Sequence, residues 1–96
     1  MFYDTKLEIL NKADFIPVQL IMADVQPYRK SFSFEDGYIL ETTYRAFCPL
    51  ESILQLNGYV RMGKDIFIIL DKKEWSDYME LYLYRCKPDF ALEVEE

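Results

Sequence analysis

Tyr59-Val60-Arg61-Met62, Gly63-Lys64-Asp65 and Ile66-Phe67-Ile68-Ile69-Leu70, then Asp71 to Asp77 around Trp75, then Tyr78-Met79-Glu80-Leu81-Tyr82-Leu83-Tyr84-Arg85: this stretch decides the fold. It reads as strand, tight turn, strand, tight turn, strand, with almost no slack. Short runs rich in Ile, Val, Phe and Tyr, separated by Gly- and Asp-containing turns, predict antiparallel hairpins. Both faces of these strands are apolar or aromatic. On the last one Met79, Leu81 and Leu83 are expected to face the core, with Tyr78, Tyr82, Tyr84 and Glu80 opposite. On the one before, Ile66, Ile68 and Leu70 are expected inside, which leaves Phe67 and Ile69 outside. One face must be the domain's own core, so the other needs a cover. A helix competes over Glu74 to Cys86, because Trp75, Tyr78, Met79 and Tyr82 also recur at helical spacing. Tyr82-Leu83-Tyr84 favours a strand and Ser76-Asp77 a turn, so the strand is preferred.

Upstream, Tyr3, Thr5, Leu7 and Ile9 alternate with Asp4, Lys6 and Glu8, the pattern of a half-buried strand with a polar face. Asn11 to Asp14 is a short turn. Pro17 opens a second strand, Val18 to Gln26, and Pro27 ends it because proline cannot donate to a ladder. Tyr28 to Tyr38 ends in Asp36-Gly37 and is expected as a long loop or protruding ribbon. Ile39 to Cys48 is a third strand, with Leu40, Thr42, Tyr44, Ala46 and Cys48 on one face; Pro49 stops it. Residues 49 to 56 read as one short helical turn or a crossover, and Asn57-Gly58 as a turn. The count is six strands, which predicts an all-β fold: a small antiparallel barrel with a long loop between strands 2 and 3. Residues 1–86 form a single domain, and 87–96 an acidic, flexible tail.

With 96 residues, 51% of them apolar and 17% aromatic, the chain has enough material for one modest core. A net charge of -6 argues against a phosphate-tracking nucleic-acid binder and against an anionic membrane surface. The opening Met1-Phe-Tyr-Asp-Thr-Lys has no secretory-signal pattern, so an intracellular protein is expected. Cys48 and Cys86 lack CxxC spacing and read as reduced thiols, a disulfide between strand ends being the weaker alternative.

Catalytic chemistry finds little support. The chain has no histidine, the commonest general base and metal ligand. Ser31, Ser33, Ser52 and Ser76 have no base partner, and neither cysteine has an activating histidine. Asp71, Glu74 and Asp77 flank a turn but lack the glycine-centred calcium-loop pattern. No enzyme activity, cofactor or metal is expected. Two surfaces remain as candidates. One is the loop carrying Tyr28, Arg29, Lys30, Phe32, Phe34 and Tyr38, suited to ordering on a partner; its alternative is a ribbon folded back over the domain. The other is the second strand face, Phe67, Ile69, Tyr78, Tyr82 and Tyr84, either a protein contact or a second small core.

Several segments together resemble the head-closure, or head-tail joining, proteins of tailed bacteriophages and prophages. They are Tyr3-Asp-Thr-Lys-Leu-Glu-Ile-Leu10, Ala23-Asp-Val-Gln-Pro-Tyr28, Tyr44-Arg-Ala-Phe-Cys48, Gly58-Tyr-Val60, Gly63-Lys-Asp-Ile-Phe-Ile-Ile69 and Trp75 to Tyr78. The first hairpin is shorter than usual for that family, and Ile53 to Leu56 replaces a charged approach to the fourth strand. The resemblance implies a small β-barrel adaptor that binds beneath a portal or adaptor ring, closes the DNA-filled head and presents a surface to the tail. It further implies a monomer that joins a ring on assembly, with loop 28–38 channel-facing, made in the host cytoplasm and ending in the virion neck. A tail-completion or terminator protein is the nearest alternative, and a small acidic inhibitor of a host nucleic-acid enzyme the next.

Overall fold

Prolines and turn residues cut the chain into strands, and the computed structural model describes residues 3–37 and 39–86. Tyr38 and the expected acidic tail, 87–96, lie outside the described residues. Among those described there are eight strands and no helix: β1 (Thr5–Leu10), β2 (Pro17–Pro27), β3 (Ser31–Ser33), β4 (Ile39–Glu41), β5 (Tyr44–Cys48), β6 (Tyr59–Met62), β7 (Asp65–Glu74) and β8 (Met79–Arg85). Six close into an antiparallel barrel in the order β1-β2-β5-β8-β7-β6, with β6 returning to pair with β1. This is the expected barrel. The other two, β3 and β4, form a separate two-stranded ribbon inside the long connection between the second and third barrel strands.

The expected single strand from Ile39 to Cys48 is broken at Thr42-Thr43. The first part belongs to the ribbon and the second to the barrel. Residues 49–57 form no helix. Leu54 N–H donates to Glu51 O and Gly58 N–H to Gln55 O, two successive turns. They carry Leu54 into the barrel as a plug, and Lys72 Nζ donates to the Leu54 carbonyl at 2.9 Å.

The core comes from alternate residues of every barrel strand: Leu7 and Ile9, Ala23, Ala46 and Cys48, Val60, Phe67 and Ile69, and Met79, Leu81 and Leu83. The β8 assignment matches the expected one. The β7 assignment is reversed, because Phe67 and Ile69 are fully buried while Ile66 and Ile68 face outward and are half-buried. Neighbouring strands explain the reversal. The two-residue turn at Gly63-Lys64 pairs Met62 with Asp65, which sets Phe67 opposite Val60, itself opposite the core residue Ile9. Five apolar residues in a row carry no alternation, so their facing comes from the partner strand. Leu70 is then skipped in a bulge between Ile69 and Asp71, which resets the register of the charged end of β7.

Candidate functional site

The outer face of β5 and β8 is where the sequence places its surplus aromatics, and the ribbon lies on it. In the ladder Arg45 sits opposite Tyr82 and Phe47 opposite Glu80. The chain leaves β2 at Pro27, and Tyr28 N–H donates to Thr43 O at 3.1 Å, closing the base of the ribbon. Just above, buried Thr42 ties the two arms together. Its hydroxyl accepts from Lys30 N–H at 3.1 Å and can donate to Tyr28 O at 3.3 Å, while its own N–H donates to Lys30 O at 3.0 Å.

This base directs the ribbon across β8. The rings of Tyr28 and Phe32 each lie 5.7 Å from that of Tyr82. Lys30 Nζ sits 5.1 Å from the Phe32 ring centre and 4.9 Å from that of Tyr82, within reach of both faces. Tyr82 is therefore 3% exposed although it points away from the barrel interior. The expectation of Tyr82 as an open anchor for a partner is corrected: the chain covers it with its own ribbon, the folded-back arrangement. Phe67 and Ile69 also leave the candidate surface, since they are core residues.

Beside this patch Arg45 is held from several directions. Its Nε donates to Gln26 Oε1 at 3.2 Å, its Nη1 lies 3.7 Å from Glu80 Oε2, and its guanidinium is 4.5 Å from the Tyr28 ring and 5.2 Å from that of Phe47. Glu80 is buried and paired, as a carboxylate on a covered face must be. The aromatic run continues from Phe47 to Tyr78, 6.2 Å between ring centres, and to Trp75, stacked on Tyr78 at 6.0 Å. Burial, followed by the hydrogen bond to Glu80, pushes the Tyr82 phenol above its ordinary range, and Lys73 partly offsets this. Lys73, hydrogen-bonded to the Tyr82 hydroxyl, is raised in turn.

Of the loop residues singled out from the sequence, Tyr28, Lys30 and Phe32 gather on Tyr82, while Arg29 and Phe34 are exposed. Of the strand residues, Tyr78 joins the aromatic run and Tyr84 is half-buried opposite Ile68. Sequence reasoning missed Thr42, Arg45, Phe47 and Trp75 as members of this face. Arg45 and Phe47 were visible in principle as the residues flanking the core position Ala46; Thr42 had no local signal. No group of three or more His, Cys, Asp or Glu among the described residues is placed to hold a metal ion. Cys48 and Cys86 are free thiols, and burial, with the charge of Glu51 second, pushes Cys48 up to about 11. No protein-family model matches the chain, and no curated protein does.

With its polar groups paired and its aromatic rings packed, this face suits recognition by shape and apolar contact. Phe34 and Ile39 toward the ribbon tip and Trp75 at the β7–β8 turn are exposed, Ile39 to 64%; Ile39 pairs with Ser33 and so lies on the ribbon face turned away from Tyr82.

Proposed function

We propose that the chain is a non-enzymatic structural subunit of a tailed-phage or prophage neck. It docks beneath a portal or adaptor ring, helps to close the filled head and offers a surface to the tail. The observation that carries this reading is the ribbon. A closed barrel has no need of a two-stranded insertion, yet this one projects large apolar residues, Phe34 and Ile39, into solvent from a base pinned by Thr42. Bare apolar side chains on a rigid arm are the anchors expected of an assembly subunit. The residue pattern resembling head-closure proteins supplies the kind of assembly.

On this reading the barrel is the scaffold and the ribbon tip the reading head. Lys30, Phe32 and Tyr28 hold the arm against Tyr82, so a partner meets an arranged surface and pays little ordering entropy. Purified protein is expected to co-sediment with tail-less, portal-bearing heads. Phe34→Ala combined with Ile39→Ala is expected to abolish co-sedimentation and infectivity while the barrel melts normally. Absence of binding by the unsubstituted protein, or full infectivity of the double variant, would overturn the reading. Electron microscopy of a knockout gives the position: leaking heads beside free tails support head closure, and intact heads with malformed tail ends indicate a tail-completion protein instead.

A further inference from the structure

The first half of β2 has a neighbouring strand on one side only. β1 pairs with Pro17 to Ala23, and β5 takes up the opposite side only from Asp24 onward. Tyr28 N–H points to Thr43 O, on the β5 side. By the two-residue period of a strand, Gln26 and Asp24 turn their backbone groups the same way, and so do Met22 and Leu20. Among the described residues no other segment hydrogen-bonds to Leu20 or Met22 on that side. The strand therefore offers open backbone donors and acceptors at Leu20 and Met22, within the stretch 17–23.

Edges of this kind are ordinarily protected by charges or proline. Here Pro17-Val18-Gln19-Leu20-Ile21-Met22-Ala23 carries no charge, in a chain with 29% charged residues, and no proline after Pro17. Its outward side chains are apolar and bare, with Val18 57%, Leu20 50% and Met22 40% exposed. Val18, skipped in the ladder between Gln19 and Pro17, forms a bulge at one end of the window.

We propose that this edge pairs antiparallel with the same edge of a second copy, about a two-fold axis through Leu20. The free window runs from 17 to 23 and is centred on Leu20, so the two windows overlap completely when Leu20 faces Leu20 of the second copy. Val18 then faces Met22, and the outward side chains meet apolar to apolar across the new ladder, the self-complementary arrangement a two-fold contact requires. Charge favours the same occupant. Glu8, beside Leu20 on β1, is neutralised by Arg61 at 2.6 Å, and the residue beside Met22 is Lys6. The Glu51 carboxylate also reaches the window, accepting from Gln19 Nε2 at 2.6 Å, but Gln19 alternates with Leu20 and lies on the other face, so Glu51 does not stand among the outward side chains that meet. The proposal is independent of the connector reading and departs from the monomeric free chain that the resemblance implies. A two-fold pair is a closed assembly, so any ring of copies would form after it opens.

Sedimentation velocity across a dilution series, joined to amide exchange by NMR, tests it. The free protein is expected at twice the monomer mass when concentrated, with the Leu20 and Met22 amides slowed in exchange and released on dilution. Leu20→Lys, which sets two ammonium groups against each other, is expected to give a monomer at every concentration with the barrel amides unchanged. Should that variant lower barrel stability, Met22→Lys places an ammonium group at the other outward position, against Val18 of the second copy, and is expected to give the same monomer. A protein that is monomeric when concentrated, or a dimer that persists in both variants, would overturn the proposal. So would fast exchange at Leu20 and Met22 within a dimer, or capture of the edge by a different protein while the free chain remains monomeric.

Discussion

Phe67 shows how one residue reports a strand's facing. Its ring is fully buried and meets Tyr44 edge-on at 5.5 Å. Truncation to alanine removes a large core side chain from a small barrel, so Phe67→Ala is expected to cost about 3–5 kcal/mol in urea denaturation. Ile68→Ala, on the outward side, is expected to cost about 1 kcal/mol. Equal losses would contradict the facing described. Cys48 ties stability to alkaline pH. Its folded pKa is raised from 9.0 to about 11, so the folded state keeps a proton that the unfolded chain releases. The contribution is whole below pH 9 and is lost as pH rises toward about 11, amounting to roughly 2–3 kcal/mol. Cys48→Ala is expected to flatten this alkaline fall in stability, whatever it costs at neutral pH; an unchanged slope would place the titration elsewhere.

Among the elements, the turns divide into two kinds. Gly63 has φ +64 and open space where a Cβ would stand, so Gly63→Ala pays for backbone conformation alone, about 1 kcal/mol and a few degrees in Tm. Gly58 is the opposite case, since an added Cβ would lie 3.0 Å from the Gln55 carbonyl oxygen. In the ribbon, Thr42→Val keeps the shape and removes the hydroxyl that serves Lys30 N–H and Tyr28 O. The expected loss is about 1–2 kcal/mol, with exchange quickened at 30–41 and unchanged in the barrel. Uniform loss of protection would mean that the ribbon and barrel open together. Strand ends were legible from Pro17, Pro27, Pro49 and Gly63 because those residues act locally, through a missing N–H or a permitted φ. The facing of Ile66 to Leu70 was not, since their neighbours are equally apolar and Val60 decides it. Nor was the resting place of the ribbon, which depends on Tyr82, about fifty residues further along the chain than Phe32. Surplus aromatics on β8 were readable from alternation; their cover was not.

Across the whole molecule, the strand order joins parts far apart in sequence. β1 is held between β2 and β6, and β8, the last barrel strand in sequence, lies between β5 and β7 and contributes Met79, Leu81 and Leu83 to the interior. Barrels dominated by such distant pairings fold on the millisecond-to-second scale, and stopped-flow refolding is expected to fall there. The placement of β8 has a consequence during synthesis. A ribosome must release every barrel strand before the inward residues of β5 and β7 find their middle partner. The β1–β2 hairpin can pair early, but the inward residues Leu7 and Ile9 gain their β6 and β8 core neighbours only when those strands are made. A chain stopped before Met79 would lack the strand that joins β5 to β7 and three of the core side chains, leaving the barrel open along both of those edges.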